Sequence, residues 1–348
     1  VSSQYSHYHC RLEEKAVTLV THTKRSDSWS KLCLTLVGSA LVVVFLISHA
    51  GHAAAPKQRG FASAEDAVNA LVDALKSNDT KALSAIFGPD SRDLVSSGDP
   101  VADSTTRTKF VDRYQQKNRL EEVSADKVVL HVGDDDWPFP IPVVKRGNMW
   151  QFDPKEGREE ILARRIGRNE LSVIQVCLAY VDAQREYASK DRQGHGLLEY
   201  AQRFGSTPGT HDGLYWKAKE GEEESPLGPL AAKAVREGYS GKKAGDKPIP
   251  YQGYYYKILK GQGKAAPGGA YSYVVNGKMI GGFAMVAYPA TYGSSGIMTF
   301  IVNHDGIVYQ KDLGRKTDGI VAKMTLFNPD KTWKKVDIVA GTPGPSGS

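Results

Sequence analysis

The stretch EGREEILARRIGRNELSVIQVCLAYVDAQREYASK, residues 156–190, runs without proline through residues that favour helix. Leu171, Ile174, Leu178 and Val181 recur at helical spacing, and Val173, Val176 and Tyr180 widen their stripe. A helix apolar over that much of its circumference packs between other elements. The spacing predicts one long helix over Glu156–Lys190. Arg158, Arg164, Arg165 and Arg168, near its start, read as a solvated face. The helix divides the chain, because the segments before and after it have different layouts.

Upstream lies FASAEDAVNALVDALKSNDTKALSAIFGPD, residues 61–90. Ser63 with Asp66 three residues on resembles a capping box. Ala67, Leu71 and Leu75, then Leu83, Ile86 and Phe87, predict two amphipathic helices broken at Ser77-Asn78-Asp79. A third helix is expected from Thr105 to about Leu120. Strands follow at Lys127–Val132, Ile141–Lys145 and Met149–Phe152, the last two joined at Gly147-Asn148. Helices first and a meander after them is an α+β layout.

Downstream, residues 205–250 are loop-rich, with a short helix expected at Leu230–Glu237. Tyr254–Leu259 then reads as a strand. Tyr271–Val275 and Met279–Tyr288 flank Asn276-Gly277, the strongest two-residue hairpin signal. Ile297–Val302 and Ile307–Gln310 flank a second turn, Asn303–Gly306. The Gly/Pro/Ser tail Gly341–Ser348 reads as disordered. The second half is thus a long helix followed by an antiparallel sheet.

Residues 1–53 read as an address. Lys24, Arg25 and Lys31 precede the apolar run LCLTLVGSALVVVFLI, Leu32–Ile47, and small residues follow to Pro56. That is the pattern of a secretory signal. It is either cleaved, after Ala50 or Ala53, or retained as an anchor, although the run is shorter than the ~20 residues of a comfortable span. Cys10 and Cys33 would leave with it, so Cys177 alone remains and no internal disulfide can form.

Composition adds exclusions. The chain is 41% hydrophobic and 24% charged, which excludes a disordered chain and a polytopic membrane protein. Membrane contact is expected only through residues 32–47. Without residues 1–53, Lys and Arg fall from 45 to 40 and Asp and Glu from 39 to 36, so the net charge of +6 becomes about +4. With no basic block, that balance argues against a nucleic-acid partner.

Several motifs resemble an exported bacterial family, the "domain of unknown function 2950". They are DDWPFPIPVVKRG (Asp135–Gly147), GREEILARRIGRNEL (Gly157–Leu171), CLAYVDAQREYA (Cys177–Ala188), SPLGPL (Ser225–Leu230), PYQGYYYKIL (Pro250–Leu259) and APGGAYSYVVNGKMIGGFAMVAYP (Ala266–Pro289). The likeness runs from about Phe61 to Trp333. It implies export and this layout, and names no reaction. Within it, the first half, closing on RGNMWQFD (Arg146–Asp153), is similar to the cone-shaped NTF2-like fold of helices on a curved sheet. The second half is similar to the head of type IV pilins and pseudopilins, through residues 173–204 and 293–314. Pilins assemble through an apolar N-terminal helix continuous with the head, whereas here Leu32–Ile47 lies far upstream and Arg168-Asn169-Glu170 opens the helix. The expected organisation is α+β in two domains: residues 1–53 as signal or anchor, 54–155 as an NTF2-like module, 156–340 as a pilin-head-like module, and 341–348 as a tail.

Chemical candidates are few. His131, His195, His211 and His304 stand in no zinc-binding spacing, and a single cysteine cannot build a thiolate site. Asp191–Glu199, DRQGHGLLE, has the outline of a calcium loop, but offers only Asp191 and Glu199 as carboxylates. A capped helix end followed by a glycine turn explains it as well. Cys177, on the apolar stripe, reads as a packed thiol. Gly261-Gln-Gly263 precedes Pro267 and no helix, so it is no dinucleotide fingerprint, and no cofactor is expected.

Asp134-Asp135-Asp136-Trp137-Pro138-Phe139-Pro140 has two readings. If the NTF2-like resemblance carries a pocket, Trp137, Phe139 and Trp150 would line it, with Asp135 or Asp136 as polar partner. Otherwise it is a strand-entry turn with its aromatics in the core. Tyr251, Tyr254, Tyr255 and Tyr256 read as sheet packing rather than as a carbohydrate platform. The function expected is a non-enzymatic structural or interaction module of the cell envelope, periplasmic or extracellular, contacting envelope proteins or polymers. The alternative is a periplasmic ligand-binding protein or hydrolase using a pocket in the first domain.

Overall fold

A computed structural model describes residues 57–239 and 249–337. The segment expected to direct export, the expected cleavage positions, Cys10, Cys33 and the tail Gly341–Ser348 lie outside the described residues. Among the described residues, no helix is long and apolar enough to cross a membrane.

Helix α1 (Ala64–Lys76) starts where its cap predicts, with Ser63 Oγ accepting from Asp66 N at 3.0 Å. The break before α2 (Thr80–Phe87) falls at Asn78, left-handed at φ 53°, a conformation asparagine tolerates. Short α3 (Arg92–Val95) leads to α4 (Pro100–Gln116), which begins earlier than expected. Asp99 caps it and Pro100 opens it, where a missing N–H costs nothing. The chain then turns extended: β1 (Asn118–Ser124) replaces the last helical turn expected up to Leu120. Its pairing with β2 (Lys127–Val132) outweighs the helical preference of Leu120, Glu121 and Glu122.

With β3 (Trp137–Pro138), β4 (Val143–Arg146) and β5 (Met149–Phe152), these strands form one antiparallel sheet, ordered β1-β2-β4-β5 with β3 beside β2. Val128, Leu130 and Val132 alternate inward along β2 and meet Leu71, Ile86 and Phe152 in a first apolar core.

Helix α5 (Arg158–Tyr187) is the long helix, two to three residues shorter at each end than 156–190. Its buried stripe is rotated from the one periodicity suggested. Leu171 is 55% exposed, whereas Val173, Cys177, Tyr180, Gln184 and Tyr187 are buried. The rotation follows from polar groups that find partners inside. Tyr180 donates its hydroxyl to Ala284 O (3.2 Å), and the Gln184 amide bonds both O (2.8 Å) and N (2.9 Å) of Ala201. Nor are all four arginines solvated. Arg164 and Arg168 are exposed, but Arg165 reaches Asp93 O (2.6 Å) and Leu94 O (2.9 Å), and Arg158 pairs with Asp93 (2.8 Å).

After α6 (Gly228–Arg236) come β6 (Tyr254–Leu259), β7 (Gly261–Gln262), β8 (Tyr271–Ser272), β9 (Val274–Val275), β10 (Lys278–Met279), β11 (Ala284–Pro289), β12 (Met298–Asn303) and β13 (Val308–Asp312). Helix α7 (Thr317–Lys323), β14 (Leu326–Phe327) and β15 (Lys334–Lys335), none of them expected, complete the described residues. The larger sheet runs β15-β13-β12-β11-β6, all antiparallel, and α5 packs across β11, β12 and β13. A smaller sheet, β14-β7-β8, lies beside it.

Asn276 and Gly277 close the β9–β10 hairpin with φ of 49° and 79°, the left-handed pair a two-residue turn demands. The expected strand Met279–Tyr288 is broken between β10 and β11. At Gly281 a Cβ would come within 2.8 Å of Ser272 O, so the backbone passes too close for a continuous pleat. The whole is mixed α+β, with two apolar cores, one under each main sheet.

Candidate functional site

The acidic turn Asp134–Asp136 links β2 to β3. Gly133 (φ 80°) and Asp136 (φ 55°) take the left-handed conformation that lets it reverse tightly. Gly133 N donates to Lys117 O (2.9 Å) and Asp136 N to Gly133 O (3.0 Å). Asp135 pairs with Arg113, and Arg119 Nε lies 2.9 and 3.1 Å from the two oxygens of Asp136. Each arginine's hydrogen bond holds its carboxyl below the usual aspartate range. His131 joins the cluster, with Nδ1 2.9 Å from Asp136 O and Nε2 2.9 Å from Glu121 Oε2. Asp134 and Asp135 are exposed, and Asp136 is half-buried.

The aromatic half of the motif goes the other way. Phe139 is buried, edge-on to Phe110 (5.3 Å), Trp137 (6.2 Å) and Phe152 (6.4 Å), and Phe152 meets Phe87 at 5.4 Å. These rings fill the space between the helices and the first sheet. Half-buried Trp137 carries the guanidinium groups of Arg164 (5.5 Å) and Arg113 (5.9 Å) over its ring. Trp150 stands on β5, paired with Lys145 of β4, with Lys145 Nζ 5.9 Å from its ring centre, and among the described residues it meets neither the Trp137 nor the Phe139 ring. The structure therefore brings Trp137 and Phe139 together, sets Trp150 apart, and turns Asp135 and Asp136 toward arginines rather than the core.

Asp191 and Glu199 are spent separately. The Asp191 carboxylate accepts from the backbone N–H of Gln193 (3.3 Å), His195 (3.1 Å) and Gly196 (2.6 Å), which lowers its pKa and fixes the glycine turn after α5. Glu199 is buried, and its Oε1 accepts from Lys278 Nζ at 2.9 Å. Lys278 also reaches His195 Nδ1, which requires that nitrogen to offer its lone pair. Among the described residues, no three His, Cys, Asp or Glu side chains group as metal ligands. Cys177 is fully buried, and burial pushes its thiol up to about 12.

Glu199 lies in a cleft of about 330 Å³ that the residue patterns did not single out. Tyr187 comes from the end of α5, Gln193, Glu199, Tyr200, Gln202 and Arg203 from the segment after it, and Lys278 from the hairpin. Tyr200 and Met279 pair as an isolated bridge, which holds the segment against the hairpin. Gln202 Nε2 donates to Gly277 O (2.7 Å), and Arg203 pairs with Asp212 at 3.3 Å. The legible signal was the Asn276-Gly277 turn that places Lys278. Glu199 closed the calcium-loop outline, but its pairing with Lys278, 79 residues away, leaves no pattern in sequence. A wider, open groove of about 650 Å³ runs along α1 beside Arg59 and Asp66.

A family model described as "Protein of unknown function (DUF2950)" matches residues 58–336, most of the chain. No curated protein and no solved structure matches it.

Proposed function

The chain belongs to the family described as Protein of unknown function (DUF2950), and from that footing we propose that it is an exported cell-envelope protein that works by contact rather than by turnover. The observation that carries this reading is the division of the motif Asp134–Phe139. Its Phe139 is spent in the core and its Trp137 lies half-buried under two arginines, while its acidic turn stands at the surface in one shape, held by Arg113, Arg119 and His131. A preformed loop loses little conformational entropy when a partner docks, so more of the contact energy becomes affinity. Export draws its support from the basic residues 24–31, the apolar run 32–47 and the small residues after it. The partner is an envelope protein or polymer, met in the periplasm or outside the cell.

The test uses residues 54–348 as bait on envelope fractions, beside the double variant Asp135→Ala/Asp136→Ala. A partner enriched by the parent chain and reduced at least about fivefold by the variant, roughly 1 kcal/mol, supports the reading. Equal recovery by both, or no enriched partner, overturns it. Unchanged melting of the variant separates loss of contact from loss of fold.

A further inference from the structure

We infer that the cleft beside the β9–β10 hairpin binds a neutral sugar ring. This is independent of the acidic turn, which belongs to the first sheet. At about 330 Å³ the cleft is at the small end of ligand sites, which run from about 300 to 1,000 Å³, so it suits one or two rings. Most such sites are lined by apolar side chains. This one presents carboxylates, amines, amides and phenols. An apolar occupant would take water from all of them and return no hydrogen bond. The occupant must itself donate and accept around its rim, as the hydroxyls of a sugar do.

Charge narrows the choice further. Glu199 is paired with Lys278 at 2.9 Å and Asp212 with Arg203 at 3.3 Å, so of the five charged side chains lining the cleft only exposed Lys260 lacks an opposite charge beside it among the described residues. A strongly charged ligand of either sign gains little there. A neutral polyol finds donors and acceptors in alternation.

Glu199 is the anchor. Its side chain is only 7% exposed, yet it lines the cleft. Lys278 takes Oε1, and among the described residues no donor reaches Oε2. A carboxylate whose side chain is this little exposed makes a strong charge-assisted bond to a ligand hydroxyl through an oxygen that remains within reach. Lys260, exposed and without an ion-pair partner among the described residues, is where an acidic sugar would gain if the neutral assignment were wrong.

Calorimetry and saturation-transfer NMR on residues 54–348 test the inference. The probes are neutral di- and tetrasaccharides of glucose and of N-acetylglucosamine, with galacturonate oligomers as the acidic arm. At least one neutral probe is expected to bind. Glu199→Gln is expected to weaken it at least about tenfold. Gln202→Ala, at a half-buried lining position whose side chain bonds Gly277 O and neither Glu199 nor Lys278, is expected to weaken it about threefold. No binding of any probe at about 10 mM overturns the inference. So does binding that Gln202→Ala leaves unchanged, which places the sugar elsewhere, and so does binding of galacturonate alone. If Glu199→Gln fails to fold, Gln202→Ala still decides.

Discussion

At Asp99 a single carboxylate, without solvent exposure, serves two elements. Oδ1 accepts from Val101 N (3.1 Å) and Ala102 N (3.0 Å), capping α4. Oδ2 accepts from the Tyr239 hydroxyl (2.8 Å) and Gly253 N (2.9 Å), which belong to the second half of the chain. Gly253 has no alternative there: it is left-handed at φ 75°, and a Cβ would lie 2.5 Å from Asn169 Nδ2. Asp99→Ala removes a cap, about 1 kcal/mol, and strands two buried donors, about 1–3 kcal/mol more. The expected loss is about 2–4 kcal/mol, read as a lower urea midpoint at unchanged slope. Asp99→Asn keeps one acceptor oxygen and should lose less. Asp99-Pro100 is legible in sequence as a helix start. The bond to Gly253, 154 residues on, is not, because it depends on how two distant segments meet.

Among the elements, α5 shows how far periodicity reaches. Its existence, its length to within three residues at either end, and the strands Met149–Phe152 and Tyr254–Leu259 follow from pattern alone. Which face it buries does not, since Gln184 goes inside on hydrogen bonds and Leu171 stays out. The same limit hid the cleft, whose side chains come from α5, the loop after it and the hairpin. Glu170 shows what α5 does for its neighbours. Its Oε1 accepts from Ile297 N and Met298 N, both at 2.9 Å, so the helix holds the first residues of β12. Glu170→Ala leaves both N–H groups without that acceptor and should cost about 2–4 kcal/mol. Glu170→Gln retains an oxygen and should cost less than half of that. Amide exchange measures it locally: the Ile297 and Met298 amides are expected to exchange faster in the alanine variant and to stay protected in the glutamine variant. Equal acceleration in both would mean that the negative charge, rather than the acceptor geometry, holds the strand.

Across the whole molecule, the buried phenols are gathered in the core under the larger sheet, and this sets how stability responds to pH. Tyr180, Tyr187, Tyr254 and Tyr273 are at most 1% exposed, and burial raises the pKa of each above the ordinary 10.0. Tyr251 is pushed up to about 12 by burial. A phenol whose folded pKa is raised stabilises the fold fully below its unfolded value near 10, and that contribution is lost as pH rises toward the folded value. Above pH 10 the unfolded chain has released protons that the native chain still holds, so stability falls by up to about 1.4 kcal/mol per pH unit for each such tyrosine. The acid side is gentler. Asp135, Asp136, Asp191 and Asp330 have pKa values below 3.8, so their contribution is present above that value and is lost as pH falls below it. They lie at the surface, where water and salt screen them. The pH–stability curve is therefore expected to be asymmetric, shallow below pH 4 and steep above pH 10. Phenolate absorbance should rise in two stages, an early one from exposed tyrosines and a late one coincident with loss of the near-ultraviolet circular dichroism. A single titration near pH 10 with the dichroism intact would contradict the buried placement of these rings, and with it the packing of α5 on the larger sheet.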